Sequence, residues 1–91
     1  MKILPKKITK KGFNYTQLKR EGMKAIYKQT KDGQEDVSFE AIKIGSHNGY
    51  ELGGQKIPAG EAYPSTSQWG TAGWTYKTLE EAERKYKKIK E

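Results

Sequence analysis

The chain has 91 residues, a formal net charge of +7 and hydrophobic side chains at only 33% of its positions. This length allows one domain with a small core, and the absence of cysteine excludes disulfides, thiolate nucleophiles and thiolate metal sites. No apolar run approaches the roughly 20 residues of a membrane span, and residues 1–7 lack the apolar core of a signal peptide. We therefore expect a cytoplasmic protein with no membrane partner.

The positive charge is concentrated in the first third of the chain. Residues 1–31 contain ten Lys and Arg against one acid, whereas residues 32–91 contain eight against ten. A field of this sign attracts nucleic acid, an anionic protein partner or an acidic membrane surface, and it weakens as the salt concentration rises. The alternative is plain solvation, since small soluble domains often carry a net charge of this size.

Residues 1–12 are predicted to form a basic flexible arm, followed by a single domain over residues 13–91. The lysines of the arm have few apolar neighbours to hold them, although Ile3, Leu4 and Ile8 offer a short edge contact. We expect this arm to become ordered on binding.

Three strands are predicted over about residues 13–20, 23–30 and 36–44, because runs of strand-forming residues there are separated by Gly-containing turns. A two-residue turn at 21–22 gives the first two strands a core face. That predicted face consists of Leu18, Met23, Ala25 and Tyr27.

The connection to the third strand decides which of its residues enter the core. A three-residue loop at 32–34 sets Tyr27 opposite Phe39 and Ala25 opposite Ala41, which keeps the apolar residues on one face. The other face then combines lysines with an aromatic ring, a composition that indicates binding, although ordinary solvation is the alternative. Its predicted members are Tyr15, Lys19, Lys24, Ile26 and Lys28.

Residues 45–60 contain five glycines and the only histidine, His47, which is predicted to be a polar loop residue. Glycines 53 and 54 are predicted to turn a short hairpin. The glycines match neither a Walker pattern nor a dinucleotide-binding fingerprint, so we expect no nucleotide cofactor.

Both tryptophans lie in one segment without charged residues. A single helical turn is predicted up to Trp69, and a last strand over residues 73–77. Trp74 and Tyr76 are predicted on opposite sides of the sheet, with Trp74 in the core under a helix. Trp69 is either a lid on the core or an exposed contact.

The C-terminal residues predict a helix over about 79–90. Thr78 and Glu81 form a capping box, which satisfies the first free backbone N–H groups. The apolar face of the helix consists of Leu79, Ala82, Tyr86 and Ile89. Acids near its start and bases near its end stabilise the helix, and phosphate contact by the basic end is the alternative role.

Residues 61–82, EAYPSTSQWGTAGWTYKTLEEA, follow a strand that ends in FEAIKI at residues 39–44. Together they resemble the ending of short uncharacterised proteins of tailed bacteriophages and their bacterial hosts. The resemblance extends over about half of the chain. It implies a stand-alone small domain, a bacterial cytoplasm and a role during infection, and it names no site.

Catalysis and metal binding are not expected, because the only histidine lies in a Gly-rich loop and no carboxylates have ligand spacing. The predicted fold is α+β, with an antiparallel sheet of about four strands packed by one C-terminal helix.

Two functions remain. The first is binding of single-stranded nucleic acid, for which the predicted contacts are Lys6, Lys7, Lys10, Lys11, Tyr15, Lys19, Lys24 and Lys28. The second is that of a phage-type accessory protein that modulates a host or phage protein through Tyr63 and Trp69. A homodimer joined through a sheet edge fits either function, and the segregated charge favours the first.

Overall fold

The computed structural model describes residues 3–10, 12–57, 59–64 and 66–89. Its strands are, in chain order, β1 (Lys7–Lys10), β2 (Phe13–Glu21), β3 (Lys24–Lys31), β4 (Val37–Lys43), β5 (Gly45–His47), β6 (Tyr50–Leu52), β7 (Gln55–Ile57), β8 (Gly60–Ala62) and β9 (Gly73–Tyr76). Five of them form an antiparallel sheet in the order β1–β2–β3–β4–β9. A C-terminal helix, α1 (Leu79–Lys88), packs on one face of this sheet, which we call the helix-bearing face. The predicted α+β fold is confirmed, with five strands in the sheet.

Strand β1 lies within the segment predicted as a basic arm. It pairs antiparallel with β2 and forms one edge of the sheet, with Ile8 opposite Tyr15. Just before it, Leu4 is buried in the core. Of the residues expected to make an edge contact, Ile8 therefore pairs within a strand and Leu4 belongs to the core.

The hairpin between β2 and β3 turns at Gly22 and Met23, one residue later than the predicted turn. Gly22 has a φ of 61°, which the first position of a two-residue hairpin turn requires. A β-bulge at Leu18 then shifts the register of β2 against β3. Leu18 is 44% exposed, so its prediction as a core residue is wrong, because the bulge interrupts the alternation on which that prediction depended.

Strand β4 pairs with β3 one residue out of the predicted register. Tyr27 lies opposite Glu40 instead of Phe39, because the connection between the strands is longer than three residues. A slip of one residue exchanges the two faces of a strand. Ala41 therefore joins Phe39 on the helix-bearing face, and Ile42 takes its place among the core residues of the other face.

Each face of the sheet carries a buried cluster. On the helix-bearing face, Ile26 packs against Ala82 and Tyr86 of α1. Ile26 is 0% exposed, so the prediction that it lies on a solvated face is wrong. The opposite face holds the larger cluster, which consists of Leu4, Ala25, Tyr27, Ile42 and Ile44.

The helix begins where its capping residues predict. The hydroxyl of Thr78 accepts a hydrogen bond from the backbone N–H of Glu81 at 3.3 Å, and it donates to the Glu81 carboxylate at 3.0 Å. Leu79 is 38% exposed, so the prediction that it lies on the buried face of the helix is wrong. The predicted buried face is confirmed at Ala82, Tyr86 and Ile89.

The Gly-rich region between β4 and β9 forms two short ladders, β5 with β8 and β6 with β7. The second ladder is the predicted hairpin, and its turn consists of Gly53 and Gly54 with φ values of 58° and 83°. His47, predicted in a loop, ends strand β5.

Strand β9 forms the second edge of the sheet, and the chain before it folds back on its start. A 3₁₀ turn, Thr66–Gln68, leads into Trp69, which makes a parallel bridge with Gly73. The N–H of Gly70 donates to the carbonyl of Gly73 at 2.8 Å. The Trp69 ring lies so close to Gly73 that a Cβ atom there would overlap it.

Candidate nucleic-acid interface

One row of side chains crosses all five strands on the helix-bearing face. From β1 to β9, its members are Lys7, Thr16, Lys28, Phe39 and Tyr76. Strands lie about 4.8 Å apart in a sheet, so the row spans about 19 Å. Two lysines on one half of the row therefore adjoin two aromatic rings on the other.

A second row lies beside the first, beneath α1. It consists of Lys19, Ile26, Ala41 and Trp74. Trp74 and Tyr76 thus share the helix-bearing face, and the prediction that they face opposite sides is wrong, because residues two apart in a strand point the same way. Trp74 is predicted in the core under the helix, but on this face it is only half-buried and belongs to neither buried cluster.

Lys19 and Lys24 lie around the ring of Tyr86, close to the end of α1. Their Nζ atoms are 5.2 Å and 4.6 Å from the ring centroid. The Nζ of Lys24 also donates to the backbone carbonyl of Tyr86 at 3.3 Å. Both cations therefore stabilise the negative end of the helix dipole, in addition to any contact with a ligand.

Tyr15 lies on the opposite face from these lysines. The later turn and the bulge at Leu18 together set Tyr15 opposite Gln29 instead of Lys28, and the bulge places it on this face. Its hydroxyl accepts from the Gln29 side chain at 3.0 Å, and its ring centroid is 5.6 Å from that of Tyr63. The structure does not bring this predicted stacking residue together with the basic residues.

The remaining predicted contacts precede or end β1. Lys6 is exposed, and its carbonyl accepts from the N–H of Gln17 at 2.7 Å. Lys10 is the last residue of β1, and Lys11 lies outside the described residues. Of the predicted lysines, the helix-bearing face therefore gathers Lys7, Lys19, Lys24 and Lys28.

A groove of about 320 Å³ lies between β9 and α1 on the same face. One wall is Tyr76, and the other consists of residues three or four apart along the helix, Glu81, Arg84, Lys85 and Lys88. The Nζ of Lys85 lies 4.1 Å from the ring centroid of Trp74, which is a cation–π contact.

Sequence reasoning missed this groove. It assigned the basic end of the helix mainly to helix stability and placed Trp74 and Tyr76 on opposite sides of the sheet. The spacing of Arg84, Lys85 and Lys88 already places them on one side of a helix, and Trp74 and Tyr76 share strand parity. The helical spacing of the basic residues and the strand spacing of the two aromatic residues together could have predicted the groove.

Tyr63, a predicted partner contact, is half-buried on the opposite face. Its ring centroid is 5.2 Å from that of Tyr27, and its hydroxyl donates to the carboxylate of Glu40. Burial, together with the neighbouring Glu40, raises the pKa of the Tyr63 hydroxyl. The prediction of Tyr63 as a surface contact is corrected, because its ring and its hydroxyl are both engaged inside the domain.

Glu40 is 5% exposed, and burial raises the pKa of its carboxyl above the usual range. The hydroxyls of Tyr63 and Thr75 both donate to it, the second at 3.4 Å, which offsets part of that effect. The Thr75 hydroxyl in turn accepts from Nε1 of Trp69 at 3.0 Å. Trp69, which is 36% exposed, is therefore both a lid over Gly73 and a partly accessible ring.

The carboxylate of Glu61 ties to β2 the segments that cover the opposite face of the sheet. Two nitrogens of Arg20 contact the two oxygens of Glu61 at 2.6 Å each, and the N–H of Leu4 donates to Glu61 at 2.9 Å. The hydrogen bonds from Arg20 and Leu4 lower the pKa of Glu61 to about 2. The residues around Leu4 and Glu61 are thereby tied to β2.

No protein-family model, curated protein or solved structure matches this chain. Within the described ranges, no helix is long and apolar enough to cross a membrane. In the same ranges, no three His, Cys, Asp or Glu residues lie close enough together to hold a metal ion.

Proposed function

We propose that this chain is a non-enzymatic protein that binds single-stranded nucleic acid on the helix-bearing face of its sheet. The observation that carries the proposal is the row from Lys7 to Tyr76, in which lysines adjoin aromatic rings. Lysines attract the phosphate backbone, and aromatic rings stack with bases. The row offers both kinds of contact within a distance of about 19 Å.

The charge on this face supports the same conclusion. Its cations are Lys7, Lys19, Lys24, Lys28, Lys43, Arg84, Lys85 and Lys88. Acids near them are fewer: Glu21 lies opposite Lys24, Glu80 pairs with Arg84 at 2.7 Å, and Glu81 lines the groove. An excess of cations on one face attracts a polyanion and raises its rate of association.

The placement of the aromatic rings favours single strands over a duplex. Phe39 and Tyr76 are half-buried and pack at the border of the Ile26 cluster. Paired bases present only their edges in the grooves of a duplex, whereas an unpaired base can lay its plane on a ring. We therefore expect a preference for unpaired strands with little dependence on base sequence.

The test is a titration of a labelled 20-nucleotide single strand, and of the matching duplex, at 50 and 200 mM salt. The double variant Lys7→Glu, Lys28→Glu should lose at least tenfold in affinity for the single strand. Two lost phosphate contacts should also reduce the slope of log affinity against log salt by about 1.4.

The matched control is Lys31→Glu with Lys56→Glu, which changes the net charge by the same amount. Lys31 lies on the opposite face over Phe13, and Lys56 is exposed on the β6–β7 hairpin. We expect this control to lose less than threefold in affinity. The proposal fails if the unmodified chain shows no binding at 50 mM salt, or if both double variants lose affinity equally.

The accessory-protein function has less support, because one of its two predicted contacts, Tyr63, uses its ring and its hydroxyl in contacts within the domain. A bacterial cytoplasm as the place of action is supported by the resemblance of residues 61–82 alone. Both stay predictions.

A further inference from the structure

We infer that the groove between β9 and α1 is the base-stacking site of this interface, with Tyr76 as the stacking ring and Lys85 as a movable phosphate contact. This inference depends on the proposed function. It commits to one occupant, a nucleotide of a single strand, because the groove combines an aromatic wall with cations.

The groove is an open surface depression of about 320 Å³, so a nucleotide of an extended strand can enter it from solvent. Tyr76 lines the groove and also packs against the Ile26 cluster, so its side chain is partly fixed. A ring fixed in this way loses little conformational freedom when a base stacks on it.

The cations of the groove are placed for a phosphate near the end of α1. Lys88 and Lys85 lie there, while Glu81 lies a turn or more earlier and accepts from the Thr78 hydroxyl. Arg84 pairs with Glu80 at 2.7 Å, but both side chains are more than two-thirds exposed. Exposed pairs of this kind are weak, so a phosphate can replace Glu80 as the partner of Arg84.

Lys85 connects the groove to Trp74. Its Nζ now lies over the Trp74 ring at 4.1 Å, where it occupies one ring face. A phosphate in the groove attracts this ammonium more strongly than the ring does, because ion pairs with phosphate are charge-assisted. Binding should therefore draw Lys85 away and change the environment of Trp74.

A variant with a single tryptophan allows the change at Trp74 to be observed alone. Trp69 hydrogen-bonds Thr75 on the opposite face, so a Trp69→Phe variant leaves Trp74 as the only tryptophan of the chain. In that background we would titrate a 12-nucleotide thymidine oligomer and an abasic oligomer of the same length. The abasic oligomer carries phosphates and sugars without bases.

We expect the thymidine oligomer to quench Trp74 emission. Tyr76→Leu should weaken thymidine-oligomer binding about tenfold and leave abasic binding within twofold, because it removes only the stacking plane. Tyr76→Phe, which keeps the ring, should bind like the parent. Lys85→Gln should weaken both oligomers, and Phe13→Leu, on the opposite face, neither.

Circular dichroism of each variant establishes that its fold is intact. The inference is overturned if the thymidine oligomer binds but Tyr76→Leu retains full affinity, or if Trp74 emission does not change on binding. In either case the proposed function stands. If neither oligomer binds at low salt, the proposed function itself has failed, and the inference fails with it.

Discussion

The two faces of the sheet use charge in opposite ways. The helix-bearing face carries lysines around a groove, whereas the opposite face buries two carboxylates, Glu40 and Glu61, among aromatic and apolar side chains. A lysine can lay its apolar stem on the protein and keep its ammonium in water, but a buried carboxylate needs fixed hydrogen-bond donors. The helix-bearing face is the one proposed to bind a ligand, whereas the opposite face carries the larger buried cluster and its two buried carboxylates.

The largest effect is expected from a substitution in the core on the face opposite the helix. Ile42 is fully buried there, and Ile42→Ala should lower the free energy of unfolding by about 3 kcal/mol, because it leaves a cavity. Urea denaturation measures this loss, and Ile42→Val should lose about 1 kcal/mol. The affinity of the folded variant for a single strand should not change. A parallel loss of affinity would show that the two faces are not independent.

The next effect concerns the ion pair between Arg20 and Glu61. Glu61→Gln removes the charge from a largely buried, bidentate contact and should cost about 2 kcal/mol of stability at neutral pH. Glu51→Gln, at an exposed acid, is the control and should cost less than about 0.5 kcal/mol.

The pH dependence of this effect has a definite sign. The pKa of Glu61 is lowered in the folded state to about 2, so its contribution is complete above the usual pKa near 4.5. It is lost as the pH falls from there toward 2, and the stabilities of the parent and Glu61→Gln should converge over that interval. Glu40, whose pKa is raised, titrates equally in both proteins and cancels from the difference. A constant difference across this range would contradict the assignment.

The smallest effect is expected at Gly73, where the Trp69 ring covers the start of β9 on the face opposite the helix. Gly73→Ala places a methyl group in the Trp69 ring and should cost about 1 kcal/mol, because the ring lies at the surface and can move away. The emission maximum of Trp69 should shift to longer wavelength as the indole becomes solvated. Gly45→Ala is the control, since its methyl group would make only an ordinary 3.6 Å contact with Ala62. An unshifted emission spectrum would show that Trp69 does not cover Gly73.

Local signals in the sequence predicted the elements well. The capping residues Thr78 and Glu81 predicted the start of α1, and β2, β3, β4 and β9 lie within two residues of their predicted bounds, whereas β1 was not predicted as a strand. Such signals depend on residues close together in the chain, so they survive in the folded protein.

The register could not be predicted, because it depends on packing between distant segments. Turn residues allowed several loops, and the bulge at Leu18 has no local signature in the sequence. Pairing Glu40 with Tyr27 buries a carboxylate, which a hydrophobic pattern disfavours. The hydroxyls of Tyr63 and Thr75, more than 20 residues away, offset the cost of that burial.

The difference in strand register also explains which of the predicted residues meet at the candidate site. Lys19, Lys24 and Lys28 share one face, as predicted, because their parity along β2 and β3 survived the shift. Lys7 joins them through β1, which was not predicted as a strand. Tyr15 does not, because it lies on the far side of the bulge. The aromatic rings that replace it, Phe39 and Tyr76, come from β4 and β9, whose placement requires the complete sheet.

The fold-back of Trp69 on Gly73 also determines how a second molecule can approach the sheet. An open edge strand is a template for strand addition and aggregation. At β9 the bridge occupies Gly73 and leaves residues 74–76, fewer than the five or six residues of an average strand. Growth of the sheet is therefore directed to β1, where a second copy of the same strand would have to approach the positive charge of Lys7. We therefore expect the fold-back to hinder strand addition at β9 and the charge of Lys7 to oppose it at β1.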